Sequence, residues 1–314
     1  PYPRCVRLAF VGQHAYFGYI ALEQPASGIE PRFFELRPNE SGTELRAALE
    51  AYDPDVVVAF RPELVPHGLF EGLRALTVGW LTEPLPRGDN PHPDLAQRLE
   101  YLRGIDVQNF DRVIAFEPKI VPAAADIVPV WRSIPLPCTD RLFAPVRETS
   151  GAPRFLFTGR STPHRDAFLN PIKHDWDVVH LAHGVTDDKL AMFMAECDAG
   201  INLHNEPYPT FENRVGVYLA AGLLLISETL DPRCGLVPGV HYVECDAPWA
   251  MWEMCAALAR TPHAFRTMRL RGRAAGERFR ASTVYPRLVA DLLADVRAHG
   301  SPRGAKVTAT LGAE

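Results

Sequence analysis

The chain has 314 residues, of which 47% are hydrophobic and 23% are charged, with a formal net charge of -5. This length is sufficient for two domains with separate cores, and the mild negative charge argues against a nucleic-acid-binding protein, which needs a basic surface. No apolar run approaches the roughly 18 residues of a membrane-spanning helix, and we expect no secretory signal segment.

The first half of the chain has the pattern of a parallel sheet. Apolar runs predict strands at 7–11, 31–36, 54–60, 77–81, 112–116 and 128–131, and helical periodicity predicts helices at 42–52 and 95–102. Strands that alternate with helices are typical of a doubly wound α/β sheet. Residues 1–145 are therefore predicted to form one Rossmann-like domain.

Two polar side chains follow strand ends in this half. His14 lies in an aromatic loop with Tyr16 and Phe17 after the first strand, and Glu83 follows the fourth. Ligands of open α/β sheets bind at the carboxyl ends of the strands. His14 and Glu83 are therefore candidates for ligand contact, although the aromatic residues of the loop are equally suited to pack against the next helix.

A proline-rich segment, 135–151, has the composition of a linker, and the α/β pattern restarts after it. Strands are predicted at 154–158, 177–182, 199–203, 223–227 and 241–244, and helices at 187–197, 213–221, 248–260 and 284–298. Residues 151–283 are predicted to form a second Rossmann-like domain. The small, polar tail 300–314 is predicted to be disordered.

Two cations follow the first strand of the second half. Gly159 ends this strand, Arg160 follows it, and Arg165 comes five residues later. Planar guanidinium groups bind phosphate oxygens, so the two arginines are candidates for phosphate binding. The alternative is that both are solvated surface arginines.

A polar loop lies between the strand 199–203 and the helix that ends at Gly222. Carboxylates in such a loop can accept two hydrogen bonds from vicinal hydroxyls of a sugar or ribose. The candidate ligand-binding residues of the loop are His204, Asn205, Glu206 and Glu212. Glu212 is alternatively a plain acidic residue at a helix N-terminus, where the helix dipole favours a negative charge.

The spacings Gly159-Arg160-x4-Arg165 and Phe211-x10-Gly222 resemble the donor-site segments of the retaining, family-4 GT-B glycosyltransferases. The resemblance implies an α/β fold of two Rossmann-like, doubly wound domains facing a cleft, with a final helix, 284–299, that crosses back to the first domain. It also implies metal-independent transfer from a nucleotide sugar, which binds the second domain as a co-substrate, with no other cofactor and an unidentified acceptor. His14, Glu83 and Glu212 are the candidate catalytic residues. The two glutamates of the family motif fall on Pro209 and Val217 in this chain.

Several alternatives remain open. Two α/β halves also occur in periplasmic binding proteins and sugar-nucleotide epimerases, and the missing glutamates suit a non-catalytic binder of a sugar or a partner protein. The basic segment 269–281 is interpreted as a solvated helix, with peripheral membrane contact as the alternative.

Other chemistry is not favoured by the sequence. Asp175 and Asp177 match a DxD metal motif, but they introduce a strand, so we expect no metal there. No P-loop, dinucleotide, zinc-protease or esterase motif is present. The six cysteines have neither a CxxC pair nor metal-ligand spacing, so we expect reduced, mostly buried thiols in a cytoplasmic protein.

Overall fold

The computed structural model describes residues 5–37, 41–88, 92–182, 187–205 and 208–304. The chain divides into two compact units, the first made of Pro1–Leu136 and Ala281–Glu314 and the second of Pro137–Arg280. Among the described residues, none of the helices combines the length and the apolar character that a membrane span requires.

The first unit contains a parallel sheet of six strands. Their bounds are β1 Val6–Gly12, β2 Ile29–Glu35, β3 Val56–Phe60, β4 Leu76–Leu81, β5 Arg112–Ala115 and β6 Val130–Ser133. The spatial order is β2-β1-β3-β4-β5-β6. The order therefore changes direction between β1 and β3, which is the switch point where doubly wound sheets bind ligands. The α-helices between these strands are α1 His14–Phe17, α2 Thr43–Tyr52, α3 Pro93–Arg103 and α4 Val121–Ala124.

The apolar runs of this half form strands because both faces of the sheet are covered. Every residue of β3 and β4 is buried, as expected of central strands in a parallel sheet. Gly79 in β4 allows a close approach to the sheet, since a Cβ there would lie 2.9 Å from the side chain of Pro62. The predicted strands of this half are all present, with shifts at their ends.

The second unit contains five parallel strands. Their bounds are β7 Phe155–Thr158, β8 Val178–Leu181, β9 Ala199–Asn202, β10 Leu224–Ser227 and β11 Val243–Glu244. The spatial order is β11-β10-β9-β7-β8, so the direction changes between β7 and β9. The helices of this unit are α5 Pro163–Asp175, α6 Asp187–Glu196, α7 Asn213–Ala220, α8 Pro248–Arg260 and α9 Arg266–Gly276.

Helix α10, Ala281–His299, ends the regular structure and belongs to the first unit. Its Tyr285 lies edge-on to Phe10 of β1, with ring centroids 4.7 Å apart, and donates a hydrogen bond of 2.8 Å to the carbonyl of Ile20. Asp295 pairs with Arg112 at 2.6 Å. The helix thus fills the core of a sheet that comes from the other end of the chain.

The described start of the tail differs from the predicted disorder. The Arg303 side chain is only 6% exposed, and its Nη1 donates to Asp111 Oδ2, Thr77 Oγ1 and the Ala75 carbonyl at 3.0–3.1 Å. Residues 305–314 lie outside the described part of the chain.

The proline-rich segment after Leu136 packs on the second unit. The Ala144 amide donates to the Ala220 carbonyl at 3.0 Å, and its own carbonyl accepts from Arg273 Nε at 2.8 Å. Arg269 is only 3% exposed and donates to the carbonyl of Gly222 at 3.1 Å. The interpretation of 269–281 as a solvated helix is therefore wrong for Arg269, whose pKa is lowered by burial.

The six cysteines are free thiols, and four of them are buried. Burial raises the pKa of Cys245 to about 11. Burial likewise raises the pKa of the other three buried thiols, Cys138, Cys197 and Cys255, so the four buried thiols remain protonated and unreactive.

Candidate functional site

The predicted phosphate-binding residues lie at the carboxyl edge of the second sheet. Gly159 directly follows β7, and Leu203 directly follows β9, the strand paired with β7 across the switch point. In a doubly wound sheet, side chains and free backbone amides converge at this position.

Arg165 lies in the first turn of α5, a helix that the sequence analysis missed. Thr162 caps this helix by accepting a hydrogen bond from the Arg165 amide, and Pro163 occupies the first helical position, where proline is well tolerated. Pro171 lies inside α5. An internal proline normally breaks a helix, which explains why the sequence pattern did not predict this one.

The Arg165 guanidinium joins the loop after β7 to the end of β9. Nε and Nη2 donate to the Leu203 carbonyl at 3.2 and 3.1 Å, and Nη1 donates to the Arg160 carbonyl at 3.1 Å. Arg165 is only 3% exposed, whereas Arg160 is exposed. The alternative of a solvated surface arginine is therefore wrong for Arg165.

A second guanidinium, which the sequence analysis did not select, lies beside the first. Arg214 Nη1 donates to Asn202 Oδ1 and to the Leu203 carbonyl, both at 3.0 Å. The Glu212 carboxylate contacts both arginines, with Oε2 3.3 Å from Arg214 Nη2 and Oε1 3.6 Å from Arg165 Nη2. Arg214 could have been selected from the sequence by its position in the first turn of α7, because ligands bind at the first turn of a helix that follows a strand.

Gly159 leaves room for this arrangement. Its φ of +145° disfavours other residues, and a Cβ at this position would lie 3.2 Å from Arg165 Nη1 and 3.3 Å from Arg214 Nη2. Both guanidinium carbons lie near the ring of Phe157, at 5.5 and 5.6 Å from its centroid. The backbone conformation therefore favours glycine at position 159, and a side chain there would crowd both guanidiniums.

A histidine–carboxylate group lies at the same edge, after β9 and β10. The Glu228 carboxylate accepts from the His204 amide at 2.7 Å, and its other oxygen lies 2.8 Å from His164 Nε2. His204 Nε2 lies 2.7 Å from the Thr229 carbonyl, which can only accept, so Nε2 carries the hydrogen. His204 is 5% exposed, and its Nδ1 has no hydrogen-bond partner among the described residues. Neither Glu228 nor His164 was selected as a site residue from the sequence.

The remaining predicted residues of the donor loop are only partly covered by the structure. Asn205 is half-buried, and Glu206 lies outside the described residues. Val217 is 2% exposed on α7 and Pro209 is exposed, so neither position offers a carboxylate in place of the family glutamates.

No family model matches the chain, and no curated protein matches it by sequence. Solved structures do share its architecture. HepE from Anabaena, in complex with UDP-glucose, is 12% identical over 92% of this chain and 99% of its own, with a TM-score of 0.58. A glycosyltransferase from Rickettsia africae is 12% identical over 94% of this chain and 100% of its own, with a TM-score of 0.59. The chain has a GT-B fold.

The GT-B fold also occurs in a protein of a different class. A putative UDP-N-acetylglucosamine 2-epimerase from Listeria monocytogenes is 9% identical over 96% of this chain and 99% of its own, with a TM-score of 0.52. At these identities the likeness establishes the fold alone.

Glu83 and His14, the two candidate residues in the first unit of this GT-B chain, both contact neighbouring side chains. The Glu83 carboxylate lies 3.2 Å from Arg61 Nη1 and 3.4 Å from Arg98 Nε. His14 begins α1, where its amide donates to Glu35 Oε2 at 3.0 Å and its ring lies edge-on to Phe33. Both residues follow strand ends, as predicted.

The aromatic residues of the first loop have different environments. Phe17 is buried and stacks on Phe60, whereas Tyr16 is 63% exposed. The alternative that the aromatic residues of this loop serve packing is therefore correct for Phe17 and wrong for Tyr16.

The DxD acids take no part in the site. Asp175 accepts from Trp252 Nε1 at 2.6 Å, and Asp177 pairs with Arg154 at 2.7 Å. Both precede β8, so they lie at the amino edge of the sheet, opposite Gly159. Within the described ranges, no group of three or more His, Cys, Asp or Glu side chains is arranged to hold a metal ion.

Proposed function

We propose that this protein is a glycosyltransferase that takes a sugar from a nucleotide-sugar donor and passes it to an acceptor hydroxyl. The observation that carries this proposal is the convergence of the Arg165 and Arg214 guanidiniums beside Gly159, at the switch point of the second sheet. The shared fold of HepE, which was crystallised with UDP-glucose, supports the same ligand class.

The charge chemistry of transfer follows from these cations. Negative charge develops on the diphosphate as the glycosidic bond breaks, and fixed guanidinium groups stabilise it without reorganisation. Arg160 is exposed one residue after Gly159 and is proposed as a further phosphate contact. We also propose that transfer is metal-independent and retaining, as the family resemblance implies.

The polar residues around the cations are proposed to bind the sugar. With the Nε2 hydrogen of His204 committed to the Thr229 carbonyl, Nδ1 is the ring nitrogen proposed to accept a hydrogen bond from a sugar hydroxyl. Asn205 and Glu206 are proposed as further sugar-binding residues, Glu212 as a donor-site residue that faces the two cations, and Glu83 and His14 in the first unit as acceptor-side residues.

The proposal is tested by donor hydrolysis over a panel of UDP-, GDP- and dTDP-sugars, with and without a chelator. Slow release of sugar from one donor, insensitive to the chelator, is the expected result. Calorimetry of the matching nucleoside diphosphate should show weaker binding by the Arg160→Ala and Arg165→Lys variants. Arg266→Ala is the matched control, because Arg266 is exposed and pairs with Glu148 away from the site. Unchanged affinity in both site variants contradicts the proposal.

A sugar-nucleotide epimerase is the second candidate, favoured by the shared fold of the Listeria protein. The His164–Glu228 pair, in which the His164 side chain is 50% exposed, offers a group for proton transfer at the same edge. Conversion of a UDP-sugar to its epimer in deuterated water, with deuterium at the inverted carbon, would favour this activity. Donor binding without turnover of any kind would instead favour a non-catalytic binder.

A further inference from the structure

The Glu212 carboxylate is the counter-ion of two adjacent cations. Its two oxygens face different arginines, at 3.3 Å from Arg214 Nη2 and 3.6 Å from Arg165 Nη2. The two guanidiniums also share the Leu203 carbonyl as an acceptor. Like charges held this close repel each other, so an anion that contacts both stabilises the arrangement.

The conformation of Glu212 shows that its carboxylate is engaged with the arginines rather than with its own helix. Glu212 is the N-cap residue of α7 and has extended backbone angles, yet its side chain makes no capping hydrogen bond. An acid at an N-cap normally accepts a hydrogen bond from the amides of the first turn. The carboxylate is therefore paired with the arginines and not with the amides of the helix that it precedes.

The three side chains differ in how they are held. The Arg165 and Arg214 side chains are 3% and 12% exposed and are fixed by backbone carbonyls, whereas the Glu212 side chain is 20% exposed. Of the three, Glu212 can move without breaking the connection between the ends of β7 and β9. A stronger anion arriving at this edge would thus meet two cations that are already in place.

We propose that Glu212 is a resident counter-ion that the ligand's diphosphate displaces, and that Arg214 forms with Arg165 the cation pair that then binds it. The identity of the ligand rests on the proposed function. A diphosphate carries more charge than a carboxylate and offers oxygens to two guanidinium groups at once. Arg214 is thereby assigned as a ligand-binding residue, in addition to the Arg160–Arg165 spacing recognised in the sequence.

The competing role for Glu212 is to remain paired with the arginines and accept hydrogen bonds from ribose or sugar hydroxyls. The two roles are separated by the affinity of Glu212→Gln for an anion that carries no sugar hydroxyls. A displaced counter-ion predicts that the variant binds such an anion more tightly, whereas a hydroxyl-binding residue predicts no gain. Inorganic pyrophosphate is such a probe.

The experiment measures by calorimetry the binding of pyrophosphate to the full chain and to the variants Glu212→Gln and Arg214→Gln. We expect Glu212→Gln to bind pyrophosphate roughly tenfold more tightly, and Arg214→Gln at least about thirtyfold more weakly, as for other close charge pairs. Glu148→Gln is the matched control and should leave the affinity unchanged, because Glu148 pairs with Arg266 at the surface. Thermal unfolding checks each variant, and Arg214→Lys replaces Arg214→Gln if the latter does not fold, with a smaller loss expected.

Three outcomes overturn the proposal. The first is an unchanged or weaker affinity of Glu212→Gln for pyrophosphate. The second is unchanged binding by the folded Arg214 variant. The third is undetectable binding by both the unmodified chain and Glu212→Gln. Failure of the proposed function can be distinguished from failure of the counter-ion proposal, because pyrophosphate contains neither a sugar nor a nucleoside. If the chain hydrolyses no nucleotide sugar but its variants show the expected changes in pyrophosphate affinity, the transferase proposal is wrong. The proposal that Glu212 is a displaceable counter-ion then still holds.

Discussion

The Tyr218 hydroxyl lies 2.9 Å from both the backbone nitrogen and the Oγ1 of Thr158, and so ties α7 to the carboxyl end of β7. The Tyr218 ring lies against Gly200 of β9, where an added Cβ would be 2.3 Å from a ring carbon. One side chain therefore joins three elements. It sets where the loop beginning at Gly159 lies relative to the helix that starts after Glu212.

Gly200→Ala is expected to lower the free energy of unfolding by about 2–3 kcal/mol, because the new methyl group overlaps a fully buried aromatic ring. Denaturant unfolding measures the change. Gly104→Ala is the control, since its φ of -80° suits alanine and the nearest atom to its Cβ is 3.3 Å away. Equal losses in the two variants would contradict the packing argument.

Tyr218→Phe is expected to cost about 1–2 kcal/mol of unfolding free energy, because it leaves the Thr158 amide without its acceptor in a partly buried position. The variant should also weaken binding of a nucleoside diphosphate, since the loop after β7 loses its attachment to α7. Calorimetry on folded protein tests the second effect. A loss of stability with unchanged affinity would show that the contact has no influence on the site.

The two motif arginines are expected to differ sharply in stability measurements. Arg165→Ala should cost about 2–4 kcal/mol, because it removes the donors to the Leu203 and Arg160 carbonyls in a buried position. Arg160→Ala should stay within about 0.5 kcal/mol, as for an exposed side chain. Thermal and denaturant unfolding provide the comparison. Comparable losses in both would mean that Arg165 is not the connecting residue described above.

Arg303→Met is expected to destabilise the first unit by about 3 kcal/mol, because the fully buried Asp111 carboxylate loses its cation. Adding Asp111→Asn should recover part of this loss, since no buried charge then remains. A double-mutant cycle measured by denaturant unfolding isolates the pairwise energy. Additive losses in the cycle would argue against a coupled pair.

The acid stability of the second unit is expected to depend on Glu277. Hydrogen bonds from Arg280 at 2.6 Å and from Arg273 at 2.5 Å hold its pKa at about 2, against an ordinary value of 4.5. A carboxyl whose pKa is depressed on folding adds stability above its unfolded pKa and loses it as the pH falls. The contribution is therefore complete above about pH 4.5 and disappears towards pH 2.

The measurement compares unfolding midpoints of the unmodified chain and Glu277→Gln from pH 6 to pH 2. The difference between them should shrink over this window, by a modest amount because the Glu277 side chain is 47% exposed and screened by solvent. A difference that does not vary with pH would rule out the ion pairs as its source.

Local patterns in the sequence were sufficient for the architecture and for part of the site. Continuous apolar runs such as Val56–Phe60 predict strands covered on both faces, and the position of Gly159 after such a run placed the predicted phosphate-binding motif at a strand end. These features depend on residues that are close in sequence, so the periodicity and spacing of the chain are enough to predict them. Helix α5 was the exception, because Pro171 imitates a helix break.

The tertiary structure alone decided how the charged groups are paired. Arg165 meets the Leu203 carbonyl, Arg214 shares Glu212 with it, and Arg303 reaches Asp111, each across a separation that depends on how the strands are ordered in the sheet. Charge type and spacing show that a cation is available, but not which carbonyl or carboxylate it meets. Burial of a guanidinium, and hence whether it supports the fold or faces a ligand, depends on packing that brings distant segments together.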